Sequence, residues 1–257
     1  MPLLVGTSGW QYNDWSGAFY PDGLRQADWL EYYAARFQTV EVNNAFYRLP
    51  EARTFADWAR RTPDDFVVGV KVSRYLTHVK RLKAPAEPVR RFLSHARHLG
   101  PKLGPLLLQL PPNLSVDLDR LDRTLRRFPE DVRVAVEFRH QSWFVDEVRT
   151  LLAERRAALC LADSAYRRTP VWRTADWGYL RLHGGRASPP PCYGRQALSA
   201  WAERLAEQWG AAADVYAFFN NDTRACALRD ARVFAAAAER AGLRPTRVPI
   251  AGEVRLG

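Results

Sequence analysis

The chain is 257 residues long, 47% apolar and 26% charged, with 12 Phe, 10 Tyr and 9 Trp. That is a globular composition with material for one large core, close to the roughly 250 residues of a single α/β barrel. No apolar run approaches the roughly 20 residues that cross a bilayer, and the amino terminus has no leader-peptide pattern, so a cytoplasmic protein without membrane contact is expected.

In chain order, short apolar runs alternate with helical patterns. The first strand is expected at Leu3–Thr7, the second at Thr39–Asn43 and the third at Phe66–Val72. The fourth follows at Pro105–Leu110, the fifth at Val132–Phe138, the sixth at Ala158–Asp163, the seventh at Gly178–His183 and the eighth at Asp214–Asn220. Such near-continuous apolar runs suit parallel strands covered on both sides. Between them, Trp29, Leu30, Tyr33 and Phe37 recur at helix spacing, with Asp28 and Glu31 placed as a capping box. Phe55, Trp58 and Ala59 mark the next helix. Val89, Phe92, Leu93, Ala96 and Leu99 mark another, closed by Gly100. Further apolar faces run through Leu118, Leu121, Leu125 and Phe128, through Val148, Leu151 and Leu152, through Leu198, Trp201, Leu205 and Trp209, and through Val233 and Phe234. Only the gap from Ser164 to Trp177 is poor in helix signals. Eight alternations of this kind close into one (β/α)₈ TIM-type barrel over residues 1–257. An open doubly wound sheet would carry a G-x-G-x-x-G first turn, and Gly6-Thr7-Ser8-Gly9 is not one.

Side chains alternate across a strand, and here the alternation separates apolar from polar residues. Glu41 and Asn43 oppose Val40 and Val42, Lys71 opposes Val70 and Val72, and Gln109 opposes Leu108 and Leu110. Glu137 and Arg139 oppose Val136 and Phe138, Asp163 opposes Ala162, Arg181 and His183 oppose Leu180 and Leu182, and Asn220 opposes Phe219. The polar set is expected to point inward at the carboxyl ends of the strands, where α/β-barrel active sites sit. A purely structural arrangement competes, in which Lys71 and Arg181 neutralise Glu41, Glu137 and Asp163 inside a plugged core.

Several chemistries fit this set. Glu41 and Glu137 can work as acid and base or as nucleophile and acid. Lys71 can form a Schiff base or stabilise an oxyanion. Glu41, Glu137, Asp163 and His183 can hold Mg²⁺ or Mn²⁺. Five histidines, His78, His95, His98, His140 and His183, are a thin supply for a multi-zinc site. There is no H-E-x-x-H, P-loop or G-x-S-x-G segment, nor any organic-cofactor motif. Cys160, Cys192 and Cys226 form no C-x-x-C pair, so neither a disulfide nor a thiolate metal site is expected, and Cys160 reads as core.

The net charge of +10 favours phosphate-bearing partners. Only Lys71, Lys80, Lys83 and Lys102 are lysines, however, and an arginine bias of that size is also what genome base composition produces. The loop after the third strand gathers Arg74, Lys80, Arg81 and Lys83 with Tyr75 and His78. Trp10, Tyr12 and Trp15 follow the first strand, and Trp143 follows the fifth. Basic residues interleaved with aromatics suit phosphate contacts and stacking, while packing of the loops onto the rim is the plain alternative for the aromatics.

The segments Gly6-Thr7-Ser8-Gly9-Trp10, Glu41-Val42-Asn43-Asn44-Ala45-Phe46-Tyr47, Lys71-Val72-Ser73-Arg74, Thr77-His78, Gln109-Leu110-Pro111-Pro112, Glu137-Phe138-Arg139-His140, Ser142-Trp143, Arg181-Leu182-His183-Gly184 and Phe219-Asn220-Asn221 resemble the YecE-like family, also called the domain of unknown function 72 family. Ala45 stands in place of Ser or Thr, and Ala165 in place of Pro. The resemblance implies an α/β barrel with its pocket at the carboxyl face and brings no established reaction. A similarity of such proteins to endonuclease-type barrels raises nucleic acid as a partner, but the short histidine supply argues against a three-zinc mechanism. The leading expectation is an enzyme acting on a small anionic or sugar-like substrate. Its catalytic residues would be Glu41, Lys71, Glu137, Asp163 and His183. Trp10, Asn43, Arg74, His78, Gln109, Arg139, Trp143, Arg181, Asn220 and Asn221 would bind substrate. A nucleic-acid-binding protein or phosphodiesterase using the basic rim is the second expectation, and a non-catalytic scaffold the third.

Overall fold

In a computed structural model, described over residues 2–164 and 167–255, eight parallel strands form a closed barrel. They are β1 (Leu3–Thr7), β2 (Thr39–Val42), β3 (Val67–Lys71), β4 (Leu103–Gln109), β5 (Val134–Glu137), β6 (Ala158–Ser164), β7 (Gly178–Leu182) and β8 (Val215–Phe219). Each pairs with its neighbour in order, and β8 returns to β1. Gly6 makes the β1–β2 contact possible, because a Cβ there would stand 2.3 Å from the carbonyl oxygen of Thr39.

Among the described residues, seven helices of two turns or more cover the outside: α1 (Trp29–Arg36), α2 (Ala52–Arg60), α3 (Ala86–Ala96), α4 (Leu118–Leu125), α5 (Asp146–Glu154), α6 (Arg195–Trp209) and α7 (Cys226–Arg240). Between β6 and β7 the described residues hold no helix; Arg167–Arg168 instead pairs antiparallel with the end of β6. Ala165 lies outside the described residues. No helix among them is long and apolar enough to cross a membrane.

The barrel interior is filled from the amino end by Leu4, Leu107, Ala135, Cys160, Tyr179, Tyr216 and Phe218. The larger core lies between strands and helices and takes the opposite faces, such as Val5, Val40, Val70 and Leu108. Helix ends depart from expectation in one place. The Asp28 side chain caps nothing; it pairs with Arg25 at 2.9 Å, and Glu31 is drawn 2.6 Å from Arg61. Guanidinium partners outcompete the backbone N–H groups there. A true side-chain cap occurs at Asp117, which accepts from the Arg120 N–H at 2.9 Å.

Cys192 and Cys226 are disulfide-bonded, contrary to the expectation from their spacing, with Cα atoms 4.9 Å apart across a sequence separation of 34. The loop after β7 folds back over the start of α7, a meeting that spacing does not reveal. A cross-link closing a loop of that length contributes about 2–4 kcal/mol. Urea unfolding of a Cys192→Ser, Cys226→Ser variant is expected to show that loss; an unchanged midpoint would mean that packing alone holds the loop.

Candidate active site at the carboxyl face of the barrel

The strand alternation delivers Glu41, Lys71, Gln109, Glu137 and Arg181 to the inside of the barrel mouth, where all five are buried. Arg181 is the hub. Its Nη2 donates to Glu41 Oε1 at 2.7 Å and its Nη1 to Glu137 Oε2 at 2.7 Å. Glu41 also accepts from Ser8 Oγ at 2.7 Å, Tyr179 Oη at 2.6 Å and Asn43 Nδ2 at 3.3 Å. Glu137 accepts from Gln109 Nε2 at 2.9 Å and Arg139 Nε at 3.1 Å, with His183 Nε2 at 3.6 Å. Burial alone would push both carboxyl pKa values up. For Glu41 the Arg181 charge and its hydroxyl donors outweigh burial and hold the group below the usual carboxylate range. For Glu137, Arg181, His183 and Arg139 do the same more strongly.

Neither glutamate therefore carries a proton to donate near neutral pH, and both have their oxygens engaged. Glu41 and Glu137 brace Arg181 between them, an arrangement that holds both carboxyl groups in their ionised form. At 1% exposed, the Arg181 guanidinium is engaged by the two carboxylates. Gln109 belongs to the same brace.

The face toward solvent is left to cations and neutral donors. Lys71, 8% exposed, holds its Nζ 4.0 Å over the Phe46 ring and, among the described residues, makes neither ion pair nor hydrogen bond. Burial and then the Arg181 charge lower its pKa to about 8, against the pull of Glu41 and Glu137. His78 meets the Phe46 ring edge-on and shares a 2.8 Å hydrogen bond with Thr77. Burial and the charges of Lys71, Arg139 and Arg74 depress its pKa to about 4, so its imidazole is neutral. Asn220 Nδ2 lies 3.1 Å from His183 Nδ1. Read as a hydrogen bond, this contact makes Nδ1 the acceptor and leaves the ring proton on Nε2. Arg139 is half-buried beside Glu137, and Arg74 is exposed on the rim. Beside Asn43, a small pocket of about 90 Å³ is lined by Trp10, Gln11, Tyr12 and Asn44.

Three expected site residues lie elsewhere. Asp163 faces the helix layer, where its carboxylate accepts from the Trp201 indole N–H; on β6 it is Cys160 that points into the barrel, so Asp163, three residues on, points out. Trp143 is fully buried, stacked on Phe138 at 4.7 Å between centroids and donating to the Leu114 carbonyl at 2.7 Å. Asn221 is turned into the loop scaffold, donating to Pro191 O at 3.1 Å and Asp230 at 2.8 Å. The Mg²⁺ or Mn²⁺ set expected from sequence also fails to converge. Arg181 stands between the glutamates, Asp163 is outside, and the described residues contain no group of three or more metal-ligating side chains. Ser8, Phe46 and Tyr179 were missed as site residues. Ser8 and Tyr179 were readable by alternation, two residues from Gly6 and Arg181 respectively.

A closed barrel of eight parallel strands with helices between them, and a charged cluster at the strands' carboxyl ends, defines a TIM-type barrel. More narrowly, the chain belongs to the family described as protein of unknown function DUF72, whose model matches residues 4–251. It is 30% identical to the UPF0759 protein YecE of Escherichia coli K12 over 152 residues, 58% of this chain and 53% of that protein; the match thus spans about half the length of that relative. It is 23% identical to the UPF0759 protein YunF of Bacillus subtilis 168 over 254 residues, 86% of this chain and 89% of that one. A crystal structure of a DUF72 family protein from Thermotoga maritima superposes with a TM-score of 0.81 at 29% identity, covering 93% of this chain and all of that one.

Proposed function

We propose that this protein is an enzyme acting on a small anionic substrate, with Arg139 and His183 holding the anion and Lys71 as the reacting or charge-stabilising group. The observation that carries this reading is Lys71 itself. A desolvated amine at a barrel mouth, with no carboxylate bound to it among the described residues, is costly as structure and useful as chemistry. The Asn43 Oδ1 atom, buried without a hydrogen-bond partner among the described residues, supports a hydroxyl-bearing ligand beside the anion. Titration calorimetry with inorganic phosphate tests the reading. Wild-type protein is expected to bind, and Arg139→Ala to bind about tenfold or more weakly, the loss of one charge-assisted hydrogen bond. Equal affinities, or no binding by wild type, would sink it.

A second reading rests on the rim. Tyr47 is 73% and Tyr75 45% exposed, beside Arg48 and Arg74, with Lys80 Nζ 5.5 Å from the Tyr75 ring centre. Exposed rings among cations suit a single-stranded nucleic acid. This reading predicts oligonucleotide affinity, followed by fluorescence anisotropy, that falls steeply with salt and is lost in Tyr47→Ala, Tyr75→Ala. Absence of binding at low salt would assign the basic charge to composition.

A further inference from the structure

We propose that Lys71 forms an imine with the carbonyl carbon of an anionic aldehyde or ketone, so that the substrate class is a phosphorylated or carboxylated carbonyl compound. This inference rests on the anion-binding reading of the mouth and gives that site its covalent chemistry.

The two buried lysines make the contrast. Lys102, 7% exposed, spends its ammonium protons on the carbonyls of Ala59 and Thr62 and on Thr62 Oγ1. It is satisfied and structural. Lys71 is buried to the same degree with none of these bonds, its Nζ resting on an aromatic face. Arg181 and Arg139 both act on it unfavourably. Desolvation against an apolar wall and a neighbouring cation are the two devices that turn a lysine into a nucleophile. Arg139, which discourages an ammonium at Nζ, also attracts an anionic reactant and brings its carbonyl to the amine.

The step balances without a further reagent. The lone pair of the neutral amine attacks the carbonyl carbon, a C–N bond forms, and the C=O π pair moves onto oxygen. The nitrogen gives up a proton to the neutral His78 imidazole, which faces the same Phe46 ring. His78 passes that proton to the oxygen, and the resulting hydroxyl, taking the second proton from the nitrogen, leaves as water while the nitrogen lone pair forms the C=N bond. Amine plus carbonyl yields imine plus water.

The probe is pyridoxal 5′-phosphate, an aldehyde bearing a phosphate, reduced onto the full-length protein with borohydride and mapped by peptide mass spectrometry. The chain has four lysines, so the position of the label is unambiguous. Label at Lys71 is expected to exceed that at Lys80 and Lys83 by about tenfold or more, the ratio that one pKa unit of amine availability gives. It should fall when inorganic phosphate is present and vanish from this position in Lys71→Arg. Label confined to, or evenly shared with, Lys80, Lys83 and the amino terminus would overturn the proposal. The phosphate calorimetry separates the two levels. Phosphate binding without label at Lys71 removes the imine and leaves the anion site, whereas absence of both removes both.

Discussion

Replacing Arg181 by methionine is expected to remove about 3–5 kcal/mol of stability at neutral pH, because it leaves two buried carboxylates without their common counterion. Glu41 is 0% and Glu137 2% exposed, so water cannot take over the role. The pH dependence gives a sharper readout. In the wild type both folded-state carboxyl pKa values lie below the ordinary value. The brace therefore contributes stability that is present above the unfolded glutamate pKa, about 4.3, and lost as pH falls through the folded values. In Arg181→Met burial dominates and raises both pKa values, so the variant should gain stability as pH falls toward 5 while the wild type does not. Urea midpoints at pH 7 and pH 5 check this. Adding Glu41→Gln and Glu137→Gln to the variant should return much of the loss, since neutral amides no longer need a counterion. A single variant as stable as wild type at both pH values would show that Lys71 and Arg139 suffice as counterions.

Lys71→Met is expected to do the reverse: to stabilise the protein while abolishing reaction with the aldehyde probe. Moving the amine pKa from 10.5 to about 8 corresponds to roughly 3 kcal/mol at 1.36 kcal/mol per unit, an upper figure because the methionine must also pack. A gain of about 1–3 kcal/mol at pH 7 is expected. The folded state binds its proton more weakly than the unfolded chain, so wild-type stability should rise between about pH 8 and pH 10.5. The variant should lack that rise. On a natural substrate, loss of a group that transfers protons or forms the covalent bond lowers turnover by about 10²–10⁴-fold. Stability given up at a reacting residue is the usual trade-off of active sites. A destabilised Lys71→Met without the alkaline difference would instead make the ammonium a structural counterion to Glu41 and Glu137.

The amino-acid sequence by itself determined the barrel and most of its mouth. All eight strands appear within about two residues of where apolar runs place them, because a strand covered on both sides must be apolar on both sides. Glu41, Lys71, Gln109, Glu137 and Arg181 were legible as inward-facing because each interrupts a strand whose other face is apolar. Asp163 was not: Cys160 and Ala162 are small enough for either side of the sheet, so only the register of β6 against β7, with Ala162 beside Arg181, settles that Asp163 turns out toward Trp201. Tertiary structure alone joined Cys192 to Cys226, stacked Trp143 behind the barrel, and drew Asp28 away from its helix to Arg25. It also decided the pairing of charges at the mouth. Composition counts the charges, but a carboxylate is paired and a lysine left unpaired according to which group stands 2.7 Å away and which meets only a ring face. Those distances come from loops and strand ends meeting across the barrel, between residues as far apart in sequence as Glu41 and Arg181. Charge interactions in a desolvated site depend so steeply on separation that linear order cannot predict them.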